Sequence, residues 1–253
     1  MIGAAGRMGA TVCAAVTAAA DLELVAAVDP APTGGQAAPG LSISPDLEAL
    51  FAAGAEVAVD FTVPGAAVAG AEWCAAHGIH SVIGTTGIDD GARERLRTAF
   101  SDRAGVGCVV APNFAIGAVL MMRFAELAAP WFETGEIIEL HHDGKVDAPS
   151  GTAMLTAQRM AVASSEWGAD PTRVEVVPGA RGGLGPAGIR IHSVRLRGLV
   201  AHQEVLLGGA GQTLTIRHDS YDRQSFMPGV LLAVRQVSGR PGLTVGLEKL
   251  LGI

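Results

Sequence analysis

The first half of the chain alternates between short apolar runs and longer segments in which apolar residues recur every three or four positions. Short apolar runs flanked by turn residues predict strands, and the longer period predicts helices. The predicted strands are 23–28, 56–62, 80–87 and 105–111, and the predicted helices are 7–20, 45–53, 64–77 and 89–103. A proline- and glycine-rich loop is expected at 31–44. Strands that alternate with helices predict a parallel sheet with right-handed crossovers.

After residue 113 the pattern changes. The predicted helices are 116–128, 152–167 and 224–237, and the predicted strands are 136–140, 173–177, 189–197, 202–207 and 212–218. A glycine-rich loop that holds Arg181 is expected at 178–188, and 243–247 is expected to return to the first domain. The last three strands alternate apolar and polar residues, which is typical of antiparallel strands in an open sheet. Such a sheet is a natural surface for subunit pairing.

Glycines spaced three apart open the first predicted helix, at Gly3, Gly6 and Gly9. In a strand-to-helix turn, glycines let the backbone approach a pyrophosphate, which then lies on the helix N-terminus. The spacing is weak evidence alone, because the chain has 34 glycines. Asp29 ends the second predicted strand, where an acid would bond a ribose hydroxyl. The alternative is that Asp29 is an ordinary turn residue before Pro30.

The first strand of this arrangement would have to precede Gly3, and only Met1 and Ile2 do so. A missing first strand would remove the central member of the sheet. We therefore expect the true start of the chain to lie upstream, with an almost absent first strand as the alternative.

Small and hydroxylated residues follow the other predicted strands of the first domain. In parallel sheets, functional groups gather at the carboxyl ends of the strands. These ends carry Phe61-Thr62, Gly84-Thr85-Thr86-Gly87 and Ala111-Pro112-Asn113-Phe114. Such residues leave space for a flat ring with its carboxamide, although threonine and glycine are also common in turns. We favour a cofactor site.

The segment 139–153 holds the strongest candidate chemistry. His141 and His142 end a predicted strand, where neighbouring side chains point to opposite faces and should have different roles. Ser150 is a plausible N-cap of the next helix, and free amides at a helix start bind anions. Lys145 lies between the two histidines and Ser150. It is one of only two lysines in a chain whose other basic side chains are mostly arginines. Unlike an arginine, a lysine amine can give up its proton, which suggests that an amine is needed here.

These residues predict proton donors beside an anion cradle, which suits a small substrate with carboxylates. The alternative is a polar loop with a histidine pair able to bind a metal. Adjacent histidines on one strand are poor joint ligands, and no nearby Cys/His spacing completes a zinc set, so no metal is expected.

Composition narrows the possible functions. The 253 residues are 49% hydrophobic with a net charge of −7, which argues against nucleic acid or an anionic membrane surface as a partner. Cys13, Cys74 and Cys108 are odd in number and predict buried thiols of a reducing compartment. The most apolar run, 109–122, is interrupted by Pro112 and is too broken to span a membrane. With no signal peptide at the start, a soluble, cytoplasmic protein is expected.

The run His-His-x-x-Lys-x-Asp-x-Pro-Ser-Gly-Thr within 139–153 resembles the signature of the 4-hydroxy-tetrahydrodipicolinate reductase family of bacterial lysine and diaminopimelate synthesis. The glycine turn, 60–62, 84–87 and 111–114 resemble the cofactor motifs of that family in the same order. The stretch 198–226 is similar to its actinobacterial members, and the likeness covers nearly the whole chain.

The resemblance implies a Rossmann-like parallel-sheet domain that binds the dinucleotide, formed by 1–112 and 222–253. It also implies an α+β domain with an open mixed sheet, 113–221, which binds the substrate and forms a homotetramer. The implied reaction is reduction of a small dicarboxylate heterocycle by NADH or NADPH, with loss of water, to tetrahydrodipicolinate.

The family pattern also implies roles for single residues. His141 would donate or accept a proton and Lys145 would donate one. The implied substrate-binding residues are His142, Ser150, Gly151 and Thr152. The implied cofactor-binding residues are Gly3, Gly6, Arg7, Met8, Asp29, Phe61, Gly84, Thr85, Thr86, Ala111, Pro112, Asn113 and Phe114.

One departure from the family concerns cofactor choice. Asp29 is followed by Pro30, where members that favour NADPH often carry an arginine, so NADH should serve at least as well as NADPH. Two other functions stay open at this point. Another two-domain nicotinamide dehydrogenase would differ in its substrate domain, and a non-catalytic dinucleotide-sensing module would leave His141, His142 and Lys145 without a role.

Overall fold

The chain folds into two units in a computed structural model that describes residues 1–31 and 35–253. The first unit comprises Met1–Ile116 and Arg223–Ile253, and the second comprises Gly117–Asp222. The strands are β1 Ala27–Val28, β2 Gln36–Ala38, β3 Leu41–Ser44, β4 Val57–Asp60, β5 His80–Ile83, β6 Gly107–Val110, β7 Thr134–His141, β8 Gly183–Leu184, β9 Arg190–Arg195, β10 Ala201–Gly209, β11 Gln212–Ser220 and β12 Gly242–Val245. The helices are α1 Arg7–Ala18, α2 Glu48–Ala52, α3 Pro64–Ala76, α4 Asp90–Ser101, α5 Ile116–Ala128, α6 Gly151–Ala163, α7 Met227–Gln236 and α8 Glu248–Leu251.

The first unit is built on a parallel sheet, as predicted. Four strands pair in the order β12-β6-β5-β4, all parallel, and β1 pairs in parallel with β3. Strand β12 lies beside β6, so the last strand of the chain returns to this unit as expected. Helices follow β4 and β5 and pack an apolar cluster that includes Leu96, Phe100 and Val110. Each such side chain contributes about 1.5–3 kcal/mol when it is fully buried.

The two residues before the glycine turn occupy the place of the first strand. Ile2 forms parallel bridges to Val28 on one side and to Asp60 on the other. The amino group of Met1 donates a hydrogen bond to the carbonyl of Ala26 at 2.8 Å, and both Met1 and Ile2 are buried. Ile2 thus lies between β1 and β4 at the centre of the sheet, and the expectation of an upstream start stays a prediction.

The expectation of a loop over 31–44 is wrong in part. Strands β2 and β3 form an antiparallel hairpin around Gly40, whose φ of 80° suits a tight turn. The alternation of apolar and polar residues in β3 has a period of two, and β3 continues the sheet beside β1. Pro32, Thr33 and Gly34 belong to the same expectation but lie outside the described residues. The second predicted strand, 23–28, is reduced to β1.

The second unit is a five-stranded mixed sheet in the order β11-β10-β7-β9-β8. The expectation that the last three predicted strands are antiparallel is confirmed for β10, which pairs antiparallel with both β7 and β11. It is wrong in part for β9, which pairs antiparallel with β8 but parallel with β7. The connection from β7 to β9 contains α6, and a crossover of this kind brings the next strand in parallel.

Two further local predictions fail in this unit. Residues 173–177 do not form a strand and are exposed, although their valines alternate with charged residues. Within the described chain these residues pair with no strand, so their backbone groups have no ladder to join. Strand β8 forms inside the expected glycine-rich loop, and α6 ends at Ala163 before the predicted 167. None of the helices formed by the described residues is long and apolar enough to cross a membrane.

Candidate active site

A tight turn leads into α1 in the first unit. Gly3 has a φ of 78°, and a Cβ on Gly9 would lie 2.0 Å from the carbonyl oxygen of Gly3. Only glycine fits both positions without moving the backbone. Gly6 is the N-cap of α1 and carries no side chain that would compete with an anion for the first-turn amides. Arg7 and Met8 begin the helix, and Arg7 is exposed.

The structure places Asp29 beside this turn. One carboxylate oxygen accepts a hydrogen bond from the amide of Ala5 at 3.1 Å, and the other accepts from the amide of Ala31 at 3.0 Å. Strand β1 therefore delivers an acid to the turn, as the spacing predicted. An open helix start supplies amide donors that fit a pyrophosphate, and the carboxylate next to it is an acceptor that fits a ribose hydroxyl.

Asp60 ties together the carboxyl ends of β4 and β5. Its Oδ1 atom accepts hydrogen bonds from the amide and hydroxyl of Thr62, at 2.8 and 2.7 Å, and from the hydroxyl of Thr85 at 3.4 Å. Burial raises the pKa of this carboxyl group, while the bonds from the two threonines oppose the rise. The two strand tips are consequently fixed to each other by side chains.

Aromatic rings join the tip of β6 to the tip of β4. The rings of Phe61 and Phe114 lie 5.7 Å apart, and a Cβ on Gly84 would overlap the Phe61 ring at 2.1 Å. The amide of Ala111 donates to the carbonyl of Ile83 at 3.1 Å. Of the neighbouring residues, Thr86 and Pro112 are exposed and Asn113 is half-buried. The side-chain oxygen of Asn113 accepts a hydrogen bond from the amide of Ala115. The three strand tips named from the sequence are neighbours.

In the second unit, the centre of the candidate site is a fully buried carboxylate, that of Glu139, which is 0% exposed. Its Oε2 atom lies 2.5 Å from Nδ1 of His141 and 2.9 Å from an Nη atom of Arg195. Its Oε1 atom accepts from the other Nη atom of Arg195 at 2.8 Å and from the amide of Ser150 at 3.2 Å. Both oxygens of this one carboxylate therefore accept from several donors, and the hydroxyl of Ser193 adds a further hydrogen bond.

These contacts determine the protonation states of Glu139 and His141. Burial alone would raise the pKa of Glu139, but hydrogen bonds from Arg195, Ser193 and His141 outweigh it and the pKa is lowered. Burial lowers the pKa of His141, and Glu139 only partly opposes this effect. At neutral pH the pair is therefore a carboxylate and a neutral imidazole.

Lys145 lies in the loop after β7. Its Nζ atom lies 2.7 Å from both carboxylate oxygens of Asp147, and Lys145 holds the pKa of Asp147 below its ordinary value. The side chain of Lys145 is 20% exposed. Arg195 donates to the carbonyl of Asp147 at 2.7 Å, which links this loop to Glu139. His142 is exposed in the same loop and, unlike His141, lies outside the buried network.

The helix that follows begins as predicted. Ser150 is the N-cap of α6, and its hydroxyl accepts from the amide of Ala153 at 3.2 Å. Gly151 is exposed, and a Cβ placed there would meet nothing within 4 Å. Thr152 is half-buried in the first turn. The helix start thus presents small residues and open space, which suits an anionic group of a ligand.

Sequence reasoning missed three members of this network. Glu139 was visible inside the candidate segment but was interpreted only as part of a strand. Arg195 is distant in sequence and meets His141 only because β7 and β9 pair in parallel with these two residues in register. Asp147 was treated as flanking charge. An acid two positions before His141 is the one local signal, because residues two apart on a strand share a face.

A cavity of about 440 Å³ lies elsewhere in the second unit and is lined by residues that include Trp167, Asp170, Arg181 and Arg190. Its charged groups already bind each other: Arg190 lies 2.7 Å from Asp170, and Arg181 lies 2.7 Å from Glu136. None of the predicted substrate residues lines it. We place the candidate substrate site at the network around Glu139.

The first unit is a parallel sheet with a glycine turn and carboxylate of the dinucleotide-binding type, and the second is a mixed sheet with a carboxylate-bound histidine and a nearby lysine. These features define the class of two-domain nicotinamide-dependent oxidoreductases. Comparison with known proteins agrees. The family model described as dihydrodipicolinate reductase, N-terminus, matches residues 1–114, and the one described as dihydrodipicolinate reductase, C-terminus, matches residues 117–251. The chain belongs to the dihydrodipicolinate reductase family, which confirms the resemblance seen in the sequence.

Individual relatives are similar over their whole length. The 4-hydroxy-tetrahydrodipicolinate reductase of Cutibacterium acnes is 54% identical over 100% of this chain and 98% of its own. That of Nocardia farcinica is 52% identical over the same shares. Among solved structures, a dipicolinate-bound dihydrodipicolinate reductase from Paenisporosarcina sp. TG-14 is 43% identical with a TM-score of 0.89, and the match covers 98% of this chain and 97% of that one.

Proposed function

We propose that this protein reduces 4-hydroxy-tetrahydrodipicolinate to tetrahydrodipicolinate with NADH or NADPH, in the bacterial synthesis of diaminopimelate and lysine. The observation that carries the proposal is the full-length similarity to proteins named 4-hydroxy-tetrahydrodipicolinate reductase and to a solved dihydrodipicolinate reductase that is bound to dipicolinate. Dipicolinate is a flat ring with two carboxylates, so it shares the charge pattern of the proposed substrate.

The reaction consumes one proton and releases one water for each molecule reduced. When bound, the reduced nicotinamide supplies a hydride. Loss of water needs a base that takes a proton from a ring carbon and an acid that protonates the leaving hydroxyl. The reduction then needs a proton at the carbon next to the one that accepts hydride. The protein must therefore present at least one acceptor and one donor of protons.

His141 and Lys145 fit these two roles. Neutral His141 has a lone pair on one of its two ring nitrogens and can accept a proton there. Lys145 carries an ammonium group with three hydrogens, held by Asp147. Ser150, Gly151 and Thr152 at the start of α6, together with His142 in the loop, would bind the carboxylates of the substrate.

The first unit would hold the cofactor. The turn from Gly3 to Gly6 and the start of α1, with Arg7 and Met8, would bind the pyrophosphate, and Asp29 would bind a ribose hydroxyl. The nicotinamide would lie against the strand tips, on the residues Phe61, Gly84, Thr85, Thr86, Ala111, Pro112, Asn113 and Phe114. We propose that residues 1–112 and 222–253 act as the cofactor domain and 113–221 as the substrate domain.

We further propose that the enzyme is a cytoplasmic homotetramer that pairs through the sheet of its second unit. The support is the long outer strand β11, most of whose residues are exposed. The free, buried thiols of Cys13, Cys74 and Cys108 suit a reducing compartment.

The function is tested by following oxidation of NADH or NADPH by the purified protein while a synthase generates the substrate. We expect turnover that depends on the synthase. Replacing Lys145 by alanine should lower kcat by about 10²–10⁴-fold, because a positioned proton donor is lost. Lys249→Ala is the matched control, since Lys249 is the only other lysine and is exposed in α8.

Binding of cofactor without any turnover would instead support a dinucleotide-sensing module and end the proposal. Near-normal turnover of the Lys145→Ala variant would reject the role of Lys145 while leaving the reaction itself in place.

A further inference from the structure

We propose that Glu139 is a positioning residue that commits the hydrogen of His141 to Nδ1, so that Nε2 is the atom that exchanges a proton with the substrate. The inference rests on the proposed function and deepens it, because it chooses between the nitrogen atoms of His141 and names the group that sets the choice.

The geometry supports this assignment at both oxygens of Glu139. Arg195 donates to each oxygen, which fixes the plane of the carboxylate and keeps it ionised. The amide of Ser150 occupies a further position on Oε1. Nδ1 of His141 shares Oε2 with Arg195, at a separation of 2.5 Å. A carboxylate can only accept, so the imidazole is held with its Nδ1 hydrogen against an acceptor that cannot rotate away.

The same carboxylate connects the proton-exchanging group to the carboxylate-binding group. Ser150 is both a donor to Glu139 through its amide and the N-cap of α6 through its hydroxyl. Arg195 also donates to the carbonyl of Asp147, whose side chain holds Lys145. Displacing Glu139 would consequently disturb the orientation of His141 first and the start of α6 second.

The charges that face His141 come from three directions. Glu139 favours the imidazolium form, whereas Lys145 from the loop and Arg195 from β9 disfavour it. The neighbour on β10 is Ala201, which carries no charge. Removing the carboxylate therefore leaves two cations against the imidazole, and the pKa of His141 should fall further.

Strand β7 offers a matched control. Glu136 also accepts hydrogen bonds from an arginine and a histidine, Arg181 and His192, each at 2.7 Å. It lies an odd number of residues from Glu139 and so on the opposite face of the strand. Glu136→Gln makes the same chemical change to the same kind of cluster and should leave kcat unchanged.

The first experiment measures kcat for Glu139→Gln, His141→Gln and the double variant, with Glu136→Gln as control. Groups that orient a metal-bound histidine are typically worth about 10–100-fold in activity, and we expect a loss of at least this order for Glu139→Gln, since Glu139 orients a metal-free histidine. The double variant should be no slower than His141→Gln alone, because Glu139 acts through His141. The acid limb of the kcat/KM profile of Glu139→Gln should also move to lower pH.

Losses that multiply in the double variant, or an acid limb that moves to higher pH, would overturn the proposal. A merely structural role would give independent losses and no shift of the limb.

The second experiment needs neither turnover nor a variant of Glu139. Imidazole nitrogen NMR of the histidine-labelled wild type, with His141→Gln used to identify one resonance among seven histidines, reports the tautomer directly. We expect the hydrogen on Nδ1. A hydrogen on Nε2 in the neutral form would refute the role of Glu139 even in an active enzyme, whereas an inactive wild type with the Nδ1 tautomer would count against the reaction alone.

Discussion

Replacing Asp29 by asparagine should narrow the preference of the enzyme for NADH over NADPH. NADPH differs by a phosphate on the ribose that Asp29 is proposed to bind, and the two negative charges repel each other. No lysine or arginine occurs between Asp29 and Ser44, so this part of the sequence offers no compensating cation. The wild type should therefore use NADH at least as well as NADPH.

The magnitude follows from the position of Asp29, which is half-buried at the end of β1. Two unit charges ~4 Å apart interact by about 1 kcal/mol in water and about 4 kcal/mol near a protein surface. The ribose phosphate carries roughly −1.5 to −2 charges. Taking the low end, because salt screens exposed groups, gives about 1–2 kcal/mol, or roughly a 5- to 30-fold change in the ratio of kcat/KM values.

The assay compares kcat/KM for NADH and NADPH at matched ionic strength, in the wild type and in Asp29→Asn. Asparagine keeps one side-chain oxygen for the amide of Ala5 or Ala31 but loses the charge. Asp102→Asn, an exposed residue at the end of α4, is the charge-matched control and should leave the ratio unchanged. A much lower Michaelis constant for NADPH in the wild type, or an unaltered ratio in Asp29→Asn, would refute the reasoning.

Two further changes test the second unit. Thr152→Val should mainly raise the Michaelis constant for the substrate, by about fivefold for one lost hydrogen bond, and an unchanged constant would count against an anion site at the start of α6. Glu136→Gln should make the free energy of unfolding depend less steeply on pH in acid. Arg181 and then His192 lower the pKa of Glu136 in the folded protein. The ionised carboxylate therefore stabilises the fold above the unfolded pKa, about 4.3, and this stabilisation is lost as the pH falls through the folded pKa. Unfolding temperatures measured from neutral to acid pH would show this, and curves of equal steepness in both proteins would contradict it.

The local spacing of apolar residues was sufficient to predict most helices and strands, but it was insufficient to predict which strands pair. Helix α5 has the predicted bounds, and α3 differs by one residue, because their apolar spacing is continuous. Strand β3 was missed since its pairing with β1 is decided by residues distant in sequence. The segment 173–177 was wrongly predicted as a strand for the converse reason, because alternation alone does not supply a neighbouring strand to bond with.

Some residues of the candidate site could likewise be predicted from the sequence, and others could not. His141, Lys145 and Ser150 stand close together in the sequence, and their chemistry could be inferred from residue types and from the cap of a following helix. Arg195 could not be inferred, because its contact with Glu139 depends on the parallel register of β7 and β9, which a crossover through α6 produces. The sequence thus indicated which groups are candidates for proton exchange, but it did not indicate the carboxylate and arginine that the structure places beside His141.

The two glutamate clusters of β7 show why residue types alone do not define a site. Glu139 and Glu136 each bind one arginine and one histidine, yet their surroundings differ. Glu139 is 0% exposed and Glu136 is 32% exposed, so only the first holds its histidine in a setting where water does not compete for the same hydrogen bonds. Among the described residues, only the Glu139 cluster also adjoins a lysine and the open start of a helix. The proposed reaction needs an oriented histidine, a second proton donor and an anion-binding helix start. Candidates for all three coincide only at the Glu139 cluster of the two, and this coincidence, more than any single residue, supports the proposal that the Glu139 cluster is catalytic and the Glu136 cluster is structural.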